Sequence, residues 1–94
     1  MGDYRREFEY WHKEGDPLVR DEVAWFAIQM EKQLRANEHK GGWESEKFVW
    51  LFDQLNRNSI ALAEARTPEE KVKRAANVAN FAMMISDIAR KELT

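Results

Sequence analysis

The chain has 94 residues, 44% of them hydrophobic and including four Trp and five Phe, so one domain with a modest core is expected and intrinsic disorder is excluded. Its 17 acidic residues against 15 basic ones leave a net charge of -2, which supplies neither the clustered positive excess that a phosphate backbone demands nor the acidic surplus of a DNA mimic. Without cysteine there is no disulfide framework, no cysteine-ligated zinc site and no thiol chemistry.

No run approaches the ~20 apolar residues of a membrane span, and Met1 to Tyr10 is too charged for a secretory signal. The expected location is therefore the cytoplasm, with no membrane partner and no sequence-specific nucleic acid. Residues 1–15 form a short N-terminal segment in which Tyr4, Phe8 and Trp11 are spaced to face one side. Asp16-Pro17 then places an N-cap aspartate before a proline at the first helical position, which predicts a helix over 17–37. Its apolar positions are Val23, Phe26, Ile28, Met30 and Leu34, with Trp25 on a neighbouring line, and His39-Lys40-Gly41-Gly42 stops it. Ser45 is placed to cap a second helix over 46–66, along which Phe48, Phe52, Leu55, Ser59 and Leu62 recur at spacings of three and four. Thr67-Pro68-Glu69-Glu70 combines an N-cap, a first-turn proline and a capping-box glutamate, and predicts a third helix over 68–92. No segment alternates as a strand. The expected fold is a single all-α domain over 1–94, a hairpin of the second and third helices with the first packed beside it.

On the third helix, Val72, Ala75, Ala76, Ala79 and Met83 fall on one side and Phe81, Met84 and Ile88 almost opposite, leaving only a narrow polar strip of Lys73, Asn80, Asp87 and Lys91. A helix apolar nearly all round is buried on both sides. Either a second copy completes a four-helix core, which predicts a homo-oligomer of two or more chains, or the N-terminal aromatics fold over the second face of a monomer. Arg74 and Asn77 interrupt the second apolar line, three residues apart and on one face. They either snorkel and bond locally or project into a polar pocket between helices.

The stretch Asn77-Val78-Ala79-Asn80-Phe81-Ala82-Met83-Met84-Ile85-Ser86-Asp87, with Met30, Leu34 and the turn Lys40-Gly41-Gly42-Trp43, resembles the small phage-type members of the MazG-like, all-α nucleoside triphosphate pyrophosphatases. The resemblance runs from about Glu22 to Arg90 and implies a MazG-like helical hairpin. It also implies carboxylates from two helices gathered around magnesium, which activates water for attack on the phosphate chain. With Leu55 and Leu62 set on the family's leucines, however, the carboxylate positions hold Arg57, Asn58, Ala61, Arg74 and Asn77. Magnesium needs anionic oxygens, and arginine repels it. The expectation is thus a relative with no catalytic residue, no metal site and no cofactor, which binds without hydrolysing.

An anionic, nucleotide-type small molecule fits what stands in those places. Arg57 and Arg74 offer planar forks to phosphate, Asn58, Asn77 and Asn80 can read a base or ribose, Trp43 or Trp50 can stack on a base, and Lys40 is a further phosphate candidate. Trp43 and Trp50 equally suit a core, and Lys40 a solvated loop. His12 and His39 lack metal-ligand spacing, Ser45 and Ser59 lack a nucleophile elbow, and Gly41-Gly42 is no phosphate loop. The resemblance to phage proteins makes sequestration of a signalling nucleotide of a host defence system the expected role. Two alternatives stand beside it: an anti-CRISPR-like inhibitor that binds a host defence protein through Tyr4, Phe8, Tyr10, Trp11, Trp25 and Phe26, and an active pyrophosphatase using displaced carboxylates.

Overall fold

A computed structural model describes residues 19–93. Among the described residues there are three helices, α1 (Asp21–Ala36), α2 (Phe48–Ala63) and α3 (Pro68–Arg90), with a short 3-10 turn over Glu38–Lys40 in the connection from α1 to α2. There is no strand among the described residues. The all-α expectation holds. Tyr4, Phe8, Tyr10, Trp11, His12 and the Asp16-Pro17 cap lie outside the described residues.

The first helix starts later than its punctuation implies. Val19 and Arg20 are not helical, Arg20 occupies the N-cap position with an extended backbone and no side-chain cap, and Asp21 and Glu22 in the first turn face the positive end of the helix dipole. Phe26, Met30 and Leu34 are half-buried, together with Gln29 and Gln33, and form the face turned to the rest of the domain. Val23, Trp25 and Ile28 are exposed, so two positions expected on the apolar face, Val23 and Ile28, stand outside it.

Ser45 does not cap α2. It sits in a turn closed by Glu46 N–H to the Trp43 carbonyl at 3.0 Å, and the helix begins two residues further on, at Phe48, with Lys47 at the N-cap. The inward stripe is also rotated. Leu51 is fully buried and Gln54, Leu55, Asn58, Ser59 and Leu62 are half-buried, whereas Phe48 is 61% exposed and Phe52 48%. At about 100° per residue the stripe lies roughly 60° from the one that Phe48 and Phe52 define. Those two rings pair with each other on the outer flank instead, with centroids 5.7 Å apart.

The restart at Thr67 is as expected in outline. Thr67 Oγ1 accepts the Glu70 amide at 3.1 Å, and Glu70 reaches back to the amide of Arg66 rather than to that of Thr67 itself. The helix ends at Arg90, and Lys91 and Glu92 form a turn. Both α1 and α2 pack on α3. Ala76 is fully buried on α3, where a methyl side chain allows close helix approach. Asn80, placed by periodicity on the narrow polar strip, is buried at 4% exposure, where the α1 backbone takes its amide as a hydrogen-bond donor. No helix among the described residues is long and apolar enough to cross a membrane.

Candidate functional site

The three helices and the α1–α2 connection line an open pocket of about 640 Å³, within the range of small-molecule sites. Each wall follows from helical spacing. Trp50, Gln54 and Asn58 stand four residues apart along α2, and Asn77, Asn80, Phe81 and Met84 form an i, i+3, i+4, i+7 line on α3. Leu34 and Gln33 close the α1 side, and Lys40, Gly41, Gly42 and Trp43 close the loop side.

Gly41 shapes that loop. Its φ of 91° lies in a region that side chains disfavour, and its amide bonds the Glu38 carbonyl at 3.0 Å. The chain then turns back so that the Trp43 indole N–H donates to Asp87 Oδ2 at 3.0 Å, tying the loop to the far end of α3. Asp87 also accepts from Arg90 Nε at 2.7 Å, with Lys91 Nζ at 3.8 Å. The Arg90 hydrogen bond, followed by that of Trp43, holds the Asp87 carboxyl below its ordinary range. Along the pocket wall, Trp50 meets Phe81 edge to face, with centroids 6.4 Å apart.

The carboxamides have a common arrangement. Asn80 Nδ2 donates to the Met30 carbonyl at 3.0 Å, Asn58 Nδ2 to the Gln54 carbonyl at 2.8 Å, and Asn37 Nδ2 to the Gln33 carbonyl at 2.8 Å. A carbonyl only accepts, so each bond fixes which end of the amide is nitrogen and leaves the second N–H and the Oδ1 acceptor for other partners. Asn80 Oδ1 is buried and meets no donor among the described residues.

Six of the eight residues nominated from sequence line this one pocket: Lys40, Trp43, Trp50, Asn58, Asn77 and Asn80. Arg57 and Arg74 do not. Arg57 lies on the outer side of α2, its side chain 72% exposed and bonded to Asp53 at 2.8 Å, which raises its pKa further through that hydrogen bond. Helical register is the reason: six residues after the buried Leu51, Arg57 stands about 120° around α2 from it. Arg74 is half-buried near the start of α3, outside the pocket lining. The lining is consequently not positive, with Lys40 accompanied by Glu31, Glu38 and Glu46.

Several pocket residues were not nominated from sequence, among them Gln54, Gln33, Asn37 and Glu46. Gln54 was available from the i, i+4, i+8 register with Trp50 and Asn58; the others depend on how the loop folds back. Among the described residues no group of three His, Asp or Glu side chains is placed to share a metal ion. No protein-family model matches the chain, and no curated protein and no solved structure matches it either.

Proposed function

We propose that the protein is a non-catalytic binding module, built on a MazG-like hairpin, that holds a nucleotide-type molecule by its base in the pocket between the three helices. The observation that carries this reading is the meeting of Trp43, Trp50 and Phe81 with six carboxamide residues in one pocket of about 640 Å³. Aromatic faces stack on a base and carboxamides pair with its edge, whereas the charge of the lining gives phosphate little hold beyond Lys40. The absence of carboxylates at positions 57, 58, 61, 74 and 77 supports binding without turnover. The role that follows is retention of a nucleotide-derived signal, as in neutralising a host anti-phage response.

Calorimetry against nucleosides, dNTPs, cyclic oligonucleotides and ADP-ribose derivatives tests it. One class is expected to bind and be recovered unchanged after incubation with magnesium. Trp50→Ala is expected to weaken binding at least tenfold, from about 1–3 kcal/mol of lost stacking, while Arg57→Ala leaves it unchanged. Absence of binding by the whole panel, or indifference to Trp50→Ala in a folded protein, overturns the reading; pyrophosphate release restores the hydrolase alternative.

A second observation favours a self-associating protein. Phe48, Val49, Phe52 and Ile60 are exposed along α2, and Val23, Trp25 and Ile28 along α1. Apolar side chains concentrated on outward faces of a small domain mark an interface, and a second copy would complete a four-helix core. Light scattering after size exclusion is expected to return a dimer or larger species that Ile60→Glu dissociates; a monomer at ~100 μM overturns it.

A further inference from the structure

The charges around the pocket do not balance, and they stand beside aromatic rings. Among the described residues that line it, Lys40 is the only cation, set against Glu31, Glu38 and Glu46. Glu31 is paired with Arg35 at 3.2 Å, whereas Glu38, Glu46 and Lys40 have no ion-pair partner among the described residues. Glu46 is the more telling of the two free carboxylates. It is half-buried, and its amide bonds the Trp43 carbonyl at 3.0 Å, which fixes its backbone beside one of the aromatic walls. A carboxylate partly withdrawn from water and left without a counter-charge favours a cation nearby. The rings carry the same preference. Trp50 lines the pocket with 47% of its surface still exposed. Trp43 is held at the edge of its indole by the bond to Asp87, which leaves the ring faces out of that contact. The face of an indole is the negative pole of its quadrupole and attracts a cation that lies over it.

Resting on the base-binding reading above, we propose that the pocket selects a positively charged nucleobase, a purine made cationic by alkylation of a ring nitrogen, over the neutral form of the same base. The delocalised charge of such a ring lies over the Trp50 face, and Glu38 and Glu46 supply the counter-charge from the loop side. Lys40 offsets only one of those two carboxylates, so a single positive charge on the ligand brings the loop side to neutrality. A neutral base gains the stacking alone. A bare metal ion would leave the rings unused, and among the described residues no three acidic or histidine side chains are placed to share one.

Calorimetry on the full chain, at about pH 6 and low salt, tests the proposal with isomers that differ only in where one methyl group sits. 1-Methyladenosine is cationic and 6-N-methyladenosine neutral; 7-methylguanosine is cationic and 2-N-methylguanosine neutral. The cationic isomer of at least one pair is expected to bind about tenfold tighter than its neutral partner. That preference is expected to shrink at moderate salt and in Glu38→Gln plus Glu46→Gln. Equal affinity within both pairs, tighter binding of the neutral isomers, or a preference untouched by salt and by the double substitution overturns the proposal while leaving the base-binding reading intact. If no base, nucleoside or nucleotide binds, the base-binding reading fails and the proposal falls with it.

Discussion

The rotation of α2 decides what the pocket contains, and a pair of truncations tests it. Leu51 is the one large side chain among the described residues that is completely buried. Leu51→Ala removes three carbon atoms from a site with no solvent to relax into, and such substitutions cost about 2–5 kcal/mol. A domain of this size has a total stability of about 5–15 kcal/mol, so the loss is a large share of the whole and lowers the melting temperature by at least about 10 °C. Phe52→Ala deletes a larger apolar group, yet Phe52 is 48% exposed and its ring contact is with the still more exposed Phe48. In the Ile60→Glu background, in which the outer face of α2 is kept from self-association, its expected cost is under about 1 kcal/mol, the range of surface substitutions. Equilibrium urea unfolding followed by far-UV circular dichroism measures both. The reasoning is refuted if Phe52→Ala proves the more damaging change, because α2 would then present the Phe48–Phe52 stripe to the core and Trp50, Gln54 and Asn58 would leave the pocket.

Two further outcomes follow from local geometry. Thr67→Ala strips the Glu70 amide of its side-chain acceptor and is expected to cost about 1 kcal/mol, with Thr67→Ser restoring most of it in thermal unfolding; no difference between Ala and Ser would show that the cap contributes nothing. The Asp87 carboxyl has a folded pKa below its unfolded value, owing first to the Arg90 hydrogen bond and then to that of Trp43. Its stabilisation is therefore complete above the ordinary carboxylate range, near 4, and is lost as the pH falls through the lower folded value. Stability measured against pH is expected to drop less steeply on the acid side in Asp87→Asn than in the parent chain, and Trp43 fluorescence to change over the same interval; an unaltered slope would remove Asp87 from that role.

Six of the residues that the resemblance and the side-chain chemistry nominated, Lys40, Trp43, Trp50, Asn58, Asn77 and Asn80, line one pocket. The arginines were misplaced for a definite reason. Their assignment depended on superposing α2 and α3 on a motif, and that superposition says nothing of how far each helix is rolled about its own axis. Asp53, one turn before Arg57, holds that guanidinium on the outer face.

The residues of this chain, by themselves, determined what is settled within a few positions of each other: the all-α class, the stop at the glycine turn and the Thr67-Pro68 start of α3. Caps, prolines and positive-φ glycines act on their immediate neighbours, so their effect does not depend on the rest of the fold. Only the tertiary structure decided which stripe of α2 faces inward, that Asn80 is buried against the α1 backbone, and that six carboxamide side chains line one pocket. An apolar band wider than one face can be rolled by half a turn's residue or more with little change in buried area, and polar partners 50 positions apart, as Asn80 and Met30 are, then choose the angle.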